Sequence, residues 1–366
     1  MALEGEEQIM ADRLQEYADV YRMLEDDESK DIYLNRLNYL ISGNLSYIKK
    51  IVTAYLPNLT PLKGKTIADL RDSMPKDRKI VLYGAGVIGK ECLRYWACDD
   101  RFVGFCSGTK SKQKTGYLGC PVMSPEELLA QNELNVVINT TRARDEIAQI
   151  LEEGGYPRDQ IFDIADYYPQ GDGSDPGQYF EPEFMRYEDE EVFVDAGCFD
   201  QECSIRLSRY CGHVKKVYAF EPDPENYRRC LARKETENFS QAEILPVGTW
   251  SERTVLHFKE DGDVSSCIAE TGGSSVCVAP IDEVVDPDER VTFIKMDVEG
   301  AELESLKGAK RTILRDKPKL AVCIYHKTED MVTIPRYIKQ LVPEYRLYVR
   351  HHSNGNTETV LYAVMP

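Results

Sequence analysis

The sequence predicts an α/β protein: a helical N-terminal segment, then two units in which short apolar strands alternate with helices. Three observations predict it. Apolar residues in the first part recur at helical spacing. A glycine-rich turn, Gly84 to Gly89, sits between an apolar run and a helical one. Further on, the runs Val192–Asp195 and Lys216–Phe220 lead into Asp195 and Glu221, acids at strand ends.

The chain has 366 residues, with 45 Lys and Arg against 63 Asp and Glu, a formal charge of −18. That field repels phosphate backbones and argues against nucleic acid as the main partner. No apolar run approaches the roughly 18 residues of a membrane span, and the start lacks the order of a signal peptide. The 11 cysteines include no CxxC pair. Reduced thiols, small core residues and a cytoplasmic location are expected.

Met10, Leu14, Tyr17, Tyr21 and Leu24 share one helical face, and Leu34, Leu37 and Ile41 resume the pattern after an acidic interruption at 25–29. Gly43-Asn44 breaks it before Leu45, Ile48 and Val52. Residues 1–75 read as a helical arm packed on its own chain, with a homodimer through the arm as the alternative.

Residues 76–168 form the second unit. Ile80–Tyr83 is a buried strand, Gly84-x-Gly86-x-x-Gly89 turns into a helix at 90–96, and strands follow at 102–105, 136–139 and 161–163. The turn suits a phosphate: one glycine turns the chain, one admits the ligand and one seats the helix. The acid that would bind a ribose about 20 residues on is missing, and Ser107 stands there. The segment resembles Rossmann-like domains attached to sugar-modifying enzymes. A bare scaffold, a nucleotide-sugar ligand and a nicotinamide cofactor all stay open. A Gly/Pro/Asp-rich stretch at 169–177 opens a linker taken to run through 169–189.

In the third unit, 190–366, strands are expected at 192–195, 216–220, 243–247, 254–258, 293–297 and 320–325, closed by a hairpin of 345–350 and 359–364 across Ser353-Asn354-Gly355-Asn356. Asp195-x-Gly197 lets backbone approach a ligand, and Glu221 can accept two ribose hydroxyls. One glycine makes no pyrophosphate cradle, so a nucleoside without phosphate fits better. The string Lys295-Met-Asp297-Val-Glu299-Gly300-Ala-Glu302-Leu-Glu-Ser-Leu306-Lys-Gly308-Ala309 is distinctive. With Glu221-Pro-Asp-Pro, Gly248-Thr-Trp250, Ser265-Ser266, Ile281-Asp282, Tyr325-His326-Lys327 and Arg350-His-His-Ser, it resembles the FkbM-type S-adenosylmethionine-dependent methyltransferases.

The resemblance implies a class I methyltransferase sheet of seven strands and S-adenosylmethionine as cofactor. It implies that Asp195, Gly197, Cys198 and Phe199 line the methionine and ribose side, with Glu221 on the ribose. Pro222 and Asp223 would border the adenine, opposite Val247 and Gly248. Asp297 would face the methyl group, and Asp297, Glu299 and His326 are candidate bases. No metal is expected, because Asp297 and Glu299 lack a third ligand. His351 and His352 are either exposed turn residues or substrate contacts. Gln201 stands where the family's loop carries a second glycine. The function implied is O-methylation of a sugar or polysaccharide hydroxyl. The alternative is a nucleotide-sugar or dinucleotide-binding protein whose methyltransferase-like domain is not catalytic. A fragment beginning near Gly177 is expected to fold and keep cofactor affinity, since all these positions lie beyond it.

Overall fold

A computed structural model describes residues 14–57, 67–96, 99–131, 133–140, 143–164, 177–258 and 274–366. Met10, Ser265, Ser266 and most of the linker stretch at 169–177 lie outside the described residues.

The N-terminal segment carries α1 (14–23), α2 (Asp27–Ser42), α3 (Ser46–Tyr55) and α4 (Ile67–Ser73). Asp26 caps α2 by accepting from Ser29 N at 2.7 Å, and Gly43 ends it at φ 67° with its N–H on Tyr39 O. The buried stripe of α2 is Ser29, Ile32, Tyr33, Arg36 and Tyr39, at the 3–4 spacing of one helical face. Leu34 and Ile41 are instead exposed, 43% and 85%, as is Leu14 at 64%. Polar Ser29 and Arg36 hid the real face from a hydrophobic count.

The first sheet follows, made of β1 (Ile80–Tyr83), β2 (Phe102–Cys106), β3 (Val122–Met123), β4 (Asn135–Ile138) and β5 (Ile161–Asp163) in the order β3-β2-β1-β4-β5. All its pairings are parallel. Its helices are α5 (Val87–Trp96), α6 (Lys110–Thr115), α7 (Pro125–Leu129) and α8 (Arg144–Glu153). Ser124, Pro125 and Glu127 form a capping box at the start of α7.

The second sheet has seven strands in the order β14-β15-β13-β12-β6-β7-β8. These are β6 (Glu190–Ala196), β7 (His213–Phe220), β8 (Ala242–Leu245), β12 (Phe293–Met296), β13 (Lys319–Cys323), β14 (Arg346–His351) and β15 (Thr359–Val364). Only β15 runs antiparallel to its neighbours, so the expected hairpin closes a parallel sheet. Between them come α9 (Glu202–Arg206), α10 (Pro224–Thr236), α11 (Ile281–Val284), α12 (Glu302–Gly308), α13 (Lys310–Asp316) and α14 (Asp330–Leu341). One expected strand belongs elsewhere. β10 (Thr254–Phe258) leaves this sheet to pair with β11 (Ser274–Ala279), which also pairs β9 (Gly248–Thr249).

Phe193 and Phe293 lie in register on β6 and β12, ring centroids 4.7 Å apart. Phe180, expected inside the linker, is fully buried and stacks on Tyr210 at 4.7 Å. Residues 177–189 thus contribute core to the second sheet. So does the helical arm: α2 lies on β14, and one apolar cluster joins Val20, Ile32, Ile48 and Val52 to Leu347 and Leu361. His351 and His352 are also core, 2% and 1% exposed. His351 bonds Thr359 Oγ1 and Gly355 O at 2.9 Å, and His352 bonds Tyr362 OH at 2.8 Å. No helix among the described residues is long and apolar enough to cross a membrane.

Candidate active site

The strand order reverses beside β6, and the carboxyl ends of β6, β7 and β12 open a crevice there, the usual ligand position in such sheets. Gly197 follows β6 at φ 78°, and a Cβ on it would lie 1.9 Å from Asp297 O. The loops after β6 and β12 therefore meet backbone to backbone, which only glycine permits.

A buried charge pair underlies this contact. Lys295 Nζ donates to Gly197 O at 2.6 Å and lies 3.3 Å from Asp195 Oδ1, while Asp195 Oδ2 accepts from Ser204 Oγ at 2.7 Å. Burial works against the Lys295 charge, but Asp195 together with Asp297 and the neighbouring thiols outweighs it, and the ammonium is held above its ordinary value. Asp195 is fully buried, so its carboxylate shapes the loop from beneath. Neither role was legible beforehand: Lys295 was only a motif letter, and Asp195 was expected to line the crevice.

Glu221, 5% exposed, ties the first two loops together. Its Oε2 accepts from Phe199 N and its Oε1 from Asp223 N, both at 2.9 Å. Burial raises its carboxyl above the ordinary range. Asp223 is occupied as the cap of α10, accepting from Glu225 N and Asn226 N at 2.9 Å. A Cβ at Gly248 would press Val278 at 3.2 Å and Pro222 at 3.5 Å, so Pro222 and Gly248 face each other across this edge, with Val247 adjacent and partly buried. Phe199 is 57% exposed at φ 53°, with the Arg229 guanidinium 5.3 Å from its ring centre. Cys198 is turned inward, its Sγ 3.5 Å from Cys230 Sγ. Gln201 takes φ 65°, the conformation glycine would favour, and neither atom of its buried amide has a partner.

Asp297 accepts from Tyr179 OH at 2.7 Å and Tyr325 OH at 3.3 Å. Burial opposes its charge, yet Lys295 and His326 hold the carboxyl below its ordinary value. His326 Nε2 lies 3.5 Å from Asp297 Oδ1 and 3.6 Å from Glu299 Oε2, and Nδ1 lies 2.9 Å from Glu302 Oε1. Burial disfavours the charged ring, but Glu302 and then Asp297 and Glu299 outweigh it, raising His326 to about 9. Asp297, Glu299 and His326 therefore do converge. Glu299 is the outermost, its side chain 82% exposed.

Glu302, in the first turn of α12, is fully buried and accepts from Val298 N at 2.9 Å. One atom each of Asp297, Glu302 and His326 lie within 4.8 Å of one another, a grouping that could hold a cation and that does not include Glu299. Tyr179, Tyr325 and Glu358 complete the wall, with Tyr325 OH 3.3 Å from Glu358 Oε1. Tyr179 carried no signal, because its segment is too short for periodicity. Glu302 and Lys295 were inside the motif string and could have been found there.

Glu221→Ala is expected to weaken cofactor binding roughly 10- to 150-fold, the loss of hydrogen bonds worth about 1.5–3 kcal/mol. It also frees the N–H groups of Phe199 and Asp223. Isothermal titration checks it, and an unchanged dissociation constant removes Glu221 from the site.

Residues 186–354 match the family described as Methyltransferase FkbM domain. A crystal structure of methyltransferase FkbM from Methylobacillus flagellatus KT is similar at 20% identity, over 87% of this chain and 98% of that one, with a TM-score of 0.48. An rRNA methylase from Streptococcus thermophilus is similar at 19% identity, over 49% and 89%, with a TM-score of 0.33. M. capricolum TrmK, in complex with S-adenosyl-homocysteine, is similar at 10% identity, over 48% and 62%, with a TM-score of 0.31. No curated protein matches in sequence.

Proposed function

We propose, from the premise that the C-terminal half of this chain is an FkbM methyltransferase domain, that the protein O-methylates a sugar or polysaccharide hydroxyl using S-adenosylmethionine. The observation that carries this reading is the convergence of Asp297, Glu299 and His326 on the crevice bordered by Gly197 and Glu221.

The residues fit the cofactor. Each Glu221 oxygen accepts one backbone N–H, which leaves acceptor capacity for two ribose hydroxyls. The Gly248–Pro222 edge would border the adenine. The carboxylates around Asp297 suit a cationic group, and the unpartnered Gln201 amide lies in the same loop as Gly197. When bound, S-adenosylmethionine supplies a methyl group already activated on a sulfonium.

The protein must then orient an acceptor hydroxyl and take its proton. His326 is the base in this reading. Glu302 lies beside Nδ1, while Nε2 faces Asp297 and Glu299. Tyr179 and Tyr325 donate to the Asp297 carboxylate and orient it. Sugar as acceptor is supported by the family resemblance, and the net charge of −18 disfavours a nucleic acid.

A base must be neutral to act, so kcat/KM is expected to rise with pH through an inflection near about 9. Glu302→Gln removes the largest charge effect on the ring and should move that inflection toward lower pH. The same linkage bears on stability: His326 stabilises the fold fully below 6.5 and progressively loses that contribution as pH rises through about 9. A profile that ignores Glu302→Gln would remove His326 as the base. The reading as a whole is tested by titrating S-adenosylmethionine and following methyl transfer to a panel of sugars and polysaccharides. Saturable binding with methylated product is expected, and no binding would overturn it. Binding without transfer to any acceptor would favour the non-catalytic alternative.

A further inference from the structure

The glycine turn of the first sheet lies far along the chain from this chemistry and has its own logic. Two of its glycines are needed by the fold. A Cβ on Gly84, at φ 130°, would lie 2.5 Å from Asn139 Oδ1, and one on Gly89 would lie 2.5 Å from Gly84 O. Gly86 is different. Its φ is not in the left-handed range, and a Cβ there would meet nothing within 4 Å. Among the described residues, no contact or conformation asks for glycine at 86. A glycine that the fold does not need, beside open space at the start of a helix of 10 residues, leaves room for backbone to approach a ligand.

Three neighbours say what kind of ligand. The first-turn N–H groups of α5 have no acceptor within their own helix and attract an anion. Asn139 directly follows β4, across the switch point from β1, 1% exposed, with neither its Oδ1 nor its Nδ2 partnered. Lys112 Nζ donates to Ala85 O at 2.8 Å and Tyr117 OH to Gly86 O at 2.9 Å, so two turn carbonyls are engaged by donors and a positive charge sits at the turn. After β2, residues 107–120 carry Lys110, Lys112 and Lys114 and no acid, in a chain of net charge −18. The acid that a plain ribose would need is replaced by cations.

We propose that the turn at 84–89, with Asn139 and the lysines of α6, is a binding site for a nucleoside diphosphate. The diphosphate sits at the start of α5, passing over Gly86, and the lysines of α6 add positive charge beside it. This site is independent of the methyl-transfer crevice. The same chemistry occurs in nucleotide-sugars and in a 2′-phosphorylated dinucleotide, and the test separates them.

The whole protein is titrated calorimetrically in phosphate-free buffer with UDP-glucose, GDP-mannose and NADPH, and its thermal midpoint is followed with each. Saturable binding of a nucleotide-sugar or of NADPH is expected, and whichever binds names the source. Gly86→Ala should keep the thermal midpoint of the parent, because its methyl enters open space, yet lower affinity at least tenfold. Gly84→Ala should lower the midpoint itself. Lys110→Gln with Lys114→Gln should weaken binding and flatten its salt dependence. Glu221→Ala should leave it unchanged. No binding by any of these nucleotides, or binding that survives Gly86→Ala undiminished, overturns the proposal.

Discussion

A fragment that begins at Gly177 is expected to lose cooperative folding, contrary to what the linker and the strand count suggest. The deleted helices are part of the core of the second sheet. Val20, Leu24, Ile32, Tyr33, Ile48, Ile51 and Val52 are each 2% exposed or less. Burying one such side chain contributes about 1.5–3 kcal/mol, so losing even a few rivals a typical net stability of about 5–15 kcal/mol. Truncation also strips β14, the outermost strand. Glu25 N would no longer donate to Leu347 O (3.0 Å), nor Val349 N to Ser29 Oγ (2.9 Å). Arg350, 6% exposed, would keep its charge and lose Asp26 at 2.7 Å and Glu28 at 3.4 Å. Both acids are about a third exposed, so losing them costs less than breaking a fully buried pair, about 3–5 kcal/mol. Circular dichroism and thermal unfolding of the fragment beside the whole chain check this. A fragment melting cooperatively at the parent's midpoint would show that the arm is an accessory.

Lys295→Met should destabilise the protein by about 3–5 kcal/mol, because it leaves Asp195 fully buried without its cation. Burial opposes the Lys295 charge, and Asp195, 3.3 Å away, is the main charge that offsets it. The variant also removes the donor to Gly197 O, so the contact of Gly197 with Asp297 O loosens and cofactor binding should fall with it. Adding Asp195→Asn to Lys295→Met should recover part of the loss, since the stranded charge is gone. Urea unfolding of both variants, with calorimetric titration of the cofactor, checks the pair. A loss below about 1 kcal/mol in Lys295→Met would mean that water reaches Asp195 and the pair is not structural.

The sequence by itself determined the two sheets, the helices between them and the terminal hairpin. Those signals are local: short apolar runs, glycine turns and a motif string whose letters keep their spacing. It also placed Gly197, Glu221, Asp297 and His326 after strand ends, and strand ends in a parallel sheet converge on one edge. What each side chain does there was decided by tertiary structure. Asp195 and Lys295 sit two and two residues from glycine and acid in the motif, but only the pairing of β6 with β12 turns them toward each other beneath the loop. Glu302 lies on a helix whose acids looked alike, and the approach of His326 from another strand end singles it out from Glu304. The arm shows the same limit. A hydrophobic count chose Leu34 and Ile41, whereas the buried face runs through Ser29 and Arg36, polar residues whose partners are Val349, Arg350 and Asn356 more than 300 positions away. Periodicity registers what water rejects. It does not register a hydrogen bond whose other half is supplied by a distant strand, and in this protein such bonds decide which face of α2 is inside.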